Sequence, residues 1–209
     1  MDIYSITNHL NEQAETVINT LGDEEIAVYI FLNNEFLKGD ITSNQVFQFV
    51  FRSFYRLDNA GLTPEFKDAY FQLMQRCRNI NTIDPHAIIE YLYQYKRRKG
   101  DHSIQFSFTT KMINMIDPTY PIYDSEVARA FRFSNSYVKD KEQKIARYLK
   151  QHDQIIEAYH KIIEENLLEK PLALFNSKFD YQLPIIKKLD FIFWSYGKSL
   201  KLSNKIYTG

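Results

Sequence analysis

An all-α fold, a compact bundle of about eight to ten helices, is predicted by three observations. Apolar residues recur at three- and four-residue spacing along nearly all of the 209-residue chain. Glycine and proline number only six each, which leaves little of the chain for loops. The one alternation of period two, Ile104-Gln105-Phe106-Ser107-Phe108, is too short to organise a sheet and runs directly into Lys111, Met112, Met115 and Ile116. It reads equally as a short strand or as the beginning of a helix.

Taken in order, stripes mark residues 24–37 and 44–57, the second through Phe47, Val50, Phe51 and Phe54. Thr63-Pro64-Glu65 starts the next helix, with threonine as the cap and proline in the first turn, where its missing N–H costs nothing. Phe66, Ala69, Tyr70, Leu73, Met74 and Cys77 form its buried face, and the helix is expected to end near Asn79. Ile88, Tyr91, Leu92 and Tyr95 predict a helix over 84–96. The longest stripe runs from Ile145 through His152, Ile155 and Tyr159 to Leu167, about six turns, with Pro171 as its expected stop. Ile186, Leu189, Phe193 and Tyr196 mark the last, over 184–200. The breaks between them, such as Asp58-Asn59-Ala60-Gly61 and Asp117-Pro118-Thr119-Tyr120-Pro121, are too short for interdomain linkers, so residues 1–209 are expected to form one α-helical domain.

Composition narrows the function classes. Basic and acidic residues number 26 each, which excludes a uniformly basic protein. The neutrality is uneven: residues 1–40 carry a charge of −7 and the remainder +7. The basic surplus sits in Lys96-Arg97-Arg98-Lys99, in residues 129–150 and in the tail from Lys170. Such stretches interleaved with Phe and Tyr form either a phosphate-binding face or a solvated helical surface. A single cysteine, Cys77, excludes an intramolecular disulfide, and the five histidines do not pair at ligand spacing. No metal site and no cofactor are expected. The absence of a leader-like N-terminus and of a long apolar run points to a cytoplasmic protein. Gly-rich nucleotide loops, the H-E-x-x-H zinc motif and the G-x-S-x-G elbow are all missing.

The chemistry concentrates in Ser107-Phe108-Thr109-Thr110-Lys111, followed by Pro121-Ile122-Tyr123-Asp124-Ser125-Glu126-Val127-Ala128-Arg129. Lys111 stands about one turn into an apolar helix, flanked by Phe108, Met112 and Met115, where dipole and desolvation both disfavour the ammonium form. Such a lysine suits a Schiff-base nucleophile, and an aspartate at a helix N-terminus stays ionised. Each residue also has a plain structural reading. Asp124 before Ser-Glu is a good N-cap, and Lys111 fits a surface lysine lying along an apolar face.

The order of lysine, apolar helix, Pro-apolar-x-Asp and then Val127 and Arg129 resembles the core of the helix-hairpin-helix DNA glycosylases. It also resembles a group of bacterial proteins carrying Ser-Phe-x-[Ser/Thr]-Lys and Pro-Ile-Tyr-Asp-Ser-x-Val, with Tyr55-Arg56-Leu57-Asp58-Asn59-Ala60-Gly61 and Leu189-Asp190-Phe191-Ile192-Phe193-Trp194 as further shared segments. The resemblance implies a two-lobed all-α fold with a cleft, with the Lys111 to Asp124 segment in the central lobe, and DNA as partner. It assigns Lys111 as nucleophile and Asp124 as the carboxylate that stabilises a sugar cation. The family's Gly-x-Gly hairpin turn is missing from residues 100–107. Phosphate contacts are therefore expected from Ser107, Thr109 and Thr110, with Arg97, Arg98 and Arg129 on the basic face. Phe193, Trp194 and Met115 are the expected wall of a base pocket. Two other readings stand beside this one. One is a non-catalytic nucleic-acid-binding module on the same fold, and the other a helical interaction protein whose acidic N-terminal part meets its basic remainder.

Overall fold

The computed structural model of the chain describes residues 2–80, 82–134 and 138–206, and for 202–206, which include Lys205 of the basic tail, the backbone alone. The described residues form eleven α-helices and no strand: α1 (Ile3–Glu12), α2 (Ala14–Asn19), α3 (Asp23–Lys38), α4 (Gln45–Phe54), α5 (Pro64–Cys77), α6 (Pro85–Tyr93), α7 (Phe106–Ile116), α8 (Ser125–Ala130), α9 (Lys141–Glu164), α10 (Glu169–Lys178) and α11 (Ile185–Ile206). None of these is long and apolar enough to cross a membrane. They divide into two compact units, a discontinuous one of Met1–Asp23 with Pro118–Gly209, and an inserted one of Glu24–Asp117. Each unit contains as many acids as bases, 15 of each in the first and 11 of each in the second. The acidic N-terminal stretch is thus shared between two neutral bodies.

In the discontinuous unit α11 is the central element, packed by α2, α8 and α10. Leu189, Ile192, Phe193 and Tyr196 of α11 are fully buried with Ile155 and Tyr159 of α9 and Val17 of α2. Phe193 stacks on Phe131 at 4.7 Å between centroids and meets Tyr159 at 5.3 Å. Ser195 Oγ donates to the carbonyl of Val17 at 2.7 Å and Lys178 Nζ to that of Leu21 at 2.6 Å, which satisfies acceptors around the end of α2.

The inserted unit is built on an aromatic core of Phe47 and Phe51 from α4 and Phe66, Tyr70 and Phe71 from α5. Buried Tyr70 donates its hydroxyl to Phe108 O at 2.8 Å, tying α5 to the first turn of α7. Between α4 and α5, Arg56 adopts a left-handed φ of 60° and leads into a 3₁₀ turn over Leu57–Asn59. There Asp58 pairs with the buried Lys67 and with Arg52 at 3.5 Å.

Several details differ from the sequence expectation: the described residues hold eleven α-helices rather than about eight to ten, and α6 ends at Tyr93 rather than at 96. α4 stops at Phe54 because Arg56 is left-handed. α9 stops at Glu164, followed by Asn166 at φ 51°, and Pro171 lies instead in the first turn of α10, where a proline loses no hydrogen bond. Of the two readings left open for the alternating segment at 104–108 the helical one holds, with α7 beginning at Phe106. The division between the units falls between Asp117 and Pro118, within the Lys111 to Asp124 segment.

Candidate functional site

Lys111 belongs to the inserted unit. It is only 9% exposed, its Nζ lying 5.3 Å from the Phe108 ring centroid and 5.6 Å from that of Tyr55. The surface-lysine reading does not hold. The rings give the nitrogen an apolar wall on two sides and a quadrupole to lie against.

The threonines beside it correct an expectation. Thr109 and Thr110 are fully buried, and their hydroxyls donate to carbonyls of their own helix segment, Gln105 O at 3.4 Å and Ser107 O at 3.1 Å. They are not surface hydroxyls for a phosphate. Ser107 remains half-buried. In the basic stretch, Arg97 pairs with Asp101, while Arg98 donates Nε to Leu62 O at 3.2 Å and its backbone N–H to Gly61 O at 2.8 Å. Arg98 thus fastens a turn, although both arginines retain surface exposure. Met115 and Phe193 are core residues, 1% and 0% exposed, rather than walls of an open pocket. Trp194 is half-buried, with Lys198 Nζ 4.1 Å above its ring.

Asp124 belongs to the discontinuous unit and is the N-cap of α8. Its Oδ1 accepts the backbone N–H groups of Glu126 and Val127, each at 2.9 Å, so the cap uses one carboxylate oxygen. Arg129, one turn on, pairs with Glu126 and donates Nη1 to Gly197 O at 3.2 Å.

The approach to Asp124 is held by buried polar side chains. Asp190 Oδ1 accepts the Ile122 N–H at 3.1 Å and the Tyr159 hydroxyl at 3.3 Å, while Oδ2 faces Lys187 Nζ at 3.5 Å. Burial pushes Asp190 up to about 6 against the pull of Lys187. His152, stacked on Tyr120 with centroids 4.4 Å apart, donates Nε2–H to Pro121 O at 2.8 Å, and burial lowers its pKa below the usual imidazole value. Tyr123 donates its hydroxyl to Gln151 Oε1 at 2.8 Å, and burial, helped by Tyr148, pushes its pKa up to about 12.

The sequence shows His152 as a core histidine and Asp190 only as part of a shared segment. The signal it does contain for Asp190 is an acid within the apolar stripe of α11, where an unpaired carboxylate would be very costly. No protein family, no curated protein and no solved structure matches the chain.

Proposed function

We propose that the protein acts on DNA as a base-excision glycosylase with lyase chemistry, on a helix-hairpin-helix glycosylase-like arrangement of its helices. Lys111 is the nucleophile and Asp124 the carboxylate that stabilises positive charge on the sugar. The observation that carries this reading is the burial of Lys111, 9% exposed, since removal from water works toward the neutral amine a Schiff-base nucleophile needs, against the pull of the Tyr55 and Phe108 ring faces toward the ammonium. The motif order of Lys111, Pro121, Asp124 and Arg129 supports it, as does a cap that uses one Asp124 oxygen.

A damaged or mispaired nucleotide leaves the duplex stack, a step that costs a few kcal/mol. Once it has given its proton to solvent, the Lys111 nitrogen gives its lone pair to C1′ as the C1′–N glycosidic bond breaks. The base leaves with the bonding pair and takes a proton from water, and the lysine nitrogen releases a proton to solvent. Breaking of C1′–O4′ then yields an imine, with O4′ taking a proton. Loss of a C2′ proton expels the 3′ phosphate, and water hydrolyses the imine to restore the lysine. Asp124 opposes the positive charge on C1′ and O4′ during base departure. Half-buried Trp194, rather than Phe193, is the ring suited to stack on a base, and Ser107 and Arg129 are the remaining candidates for backbone contacts.

Borohydride trapping on an oligonucleotide with an abasic site tests this. A covalent protein–DNA adduct is expected with the native chain and none with Lys111→Ala. Absence of an adduct with the native chain, or an undiminished one with Lys111→Ala, overturns the lysine mechanism. Salt-dependent DNA binding without an adduct would leave the non-catalytic binding module in its place.

A further inference from the structure

Pro121 C=O and Ile122 N–H are the two polar ends of one peptide group, and each is taken by a buried titratable side chain from a different helix. His152 of α9 donates to the carbonyl at 2.8 Å, and Asp190 of α11 accepts from the N–H at 3.1 Å. His152 is 2% exposed and Asp190 4%. A neutral side chain would satisfy one N–H at far lower desolvation cost than a buried carboxylate with a buried lysine beside it. The peptide so clamped lies just before Asp124. From there Tyr123 is held by Gln151, and Asp124 turns into α8.

We infer that Asp190 and His152 are positioning residues: by fixing the Pro121–Ile122 peptide plane they fix the direction in which the Asp124 carboxylate leaves the backbone. Neither touches the reacting atoms. The catalytic consequence rests on the function proposed above, whereas the geometric one does not. A carboxylate meant to oppose charge growing on a sugar must be held within a fraction of an ångström, and loops do not do this without such supports.

Amide hydrogen exchange and single-turnover kinetics test the inference together. In the native chain the Ile122 amide should be protected. Asp190→Ala should raise its exchange at least 100-fold while amides of α10 stay unchanged, and Asp190→Asn, whose side-chain oxygen still accepts, should restore most of the protection. His152→Phe keeps the ring stack on Tyr120 but cannot donate, and should raise Ile122 exchange about 10-fold. It keeps the test decisive if Asp190→Ala does not fold. On DNA, the adduct-forming rate should fall 10- to 100-fold in Asp190→Ala and His152→Phe with DNA affinity unchanged, and recover to within about 5-fold in Asp190→Asn. Unchanged Ile122 exchange in both variants overturns the clamp. Loosened exchange with an unchanged adduct rate overturns its role in positioning Asp124 for chemistry. If the native chain forms no adduct, the glycosylase reading falls, and exchange at Ile122 alone decides whether the clamp exists.

Discussion

Gly197 of α11 lies so close to Glu126 of α8 that a Cβ at position 197 would come within 2.0 Å of the Glu126 carbonyl oxygen and 2.5 Å of its carbon. The two helices therefore meet backbone to backbone in the first turn of α8, two residues past the Asp124 cap. Asp190 stands seven residues earlier on α11, which is about two turns and the same face. One stripe of α11 thus holds both the peptide before Asp124 and the helix after it.

Gly197→Ala should destabilise the protein by about 1–3 kcal/mol or more, because the obstacle is backbone and cannot turn aside. Gly39→Ala is the matched control. A Cβ there meets nothing within 4 Å, so this variant should be neutral or slightly more stable. Urea unfolding of both proteins checks the contrast, and equal midpoints would show that α8 does not depend on the missing side chain.

Asp124 should separate into a capping role and a charge role. Asparagine caps as well as aspartate, so Asp124→Asn should keep its stability within about 0.5 kcal/mol, whereas Asp124→Ala should lose about 1 kcal/mol. Both should cut adduct formation on abasic DNA by about 100-fold or more, since neither carries the charge. An Asp124→Asn variant with native rates would leave capping as the residue's whole role.

The clamp should make stability depend on pH in two opposing ways. Asp190 is raised to about 6, so the folded state holds its proton more tightly than the unfolded chain does. That contribution to stability is present at low pH and is lost as pH rises through the window between about 4 and 6, amounting to about 3 kcal/mol at most. Lys187 and Tyr159 face this carboxylate and moderate the loss. His152 is lowered by burial, with the hydrogen bond to Pro121 and then Asp153 pulling the other way, so its contribution is present above about 6.5 and is lost as pH falls. Unfolding free energies measured from pH 4.5 to 7.5 should therefore show Asp190→Asn gaining on the native chain as pH rises and His152→Phe gaining on it as pH falls. Parallel curves would place both groups outside the buried network.

Trp194 is the sole tryptophan, half-buried beneath the Lys198 ammonium, and it gives a direct optical probe. Titration with duplex DNA should quench its fluorescence, and log Kobs should fall linearly with log salt as counterions are released. Lys198→Ala should make that slope shallower by about one if the ammonium meets a phosphate. A flat salt dependence would remove DNA as the partner.

Most of the helices were legible in the sequence because their causes are local. The Thr63-Pro64 start of α5, the Asp124 cap of α8 and the stripes of α9 and α11 depend on neighbours within a turn or two, and they stand where periodicity and capping chemistry place them. Position along the chain was misleading where distant partners decide. Thr109 and Thr110 read as phosphate hydroxyls but are sealed inside, and Phe193 read as a pocket wall but stacks on Phe131. The division between Lys111 and Asp124 at Asp117 follows from which helices each side packs against, a quantity with no local signature. The clamp on the Pro121–Ile122 peptide joins residues 31 and 68 positions apart. Folding brings them together because a buried peptide group must find partners once water is gone, and α9 and α11 are the elements that pack there.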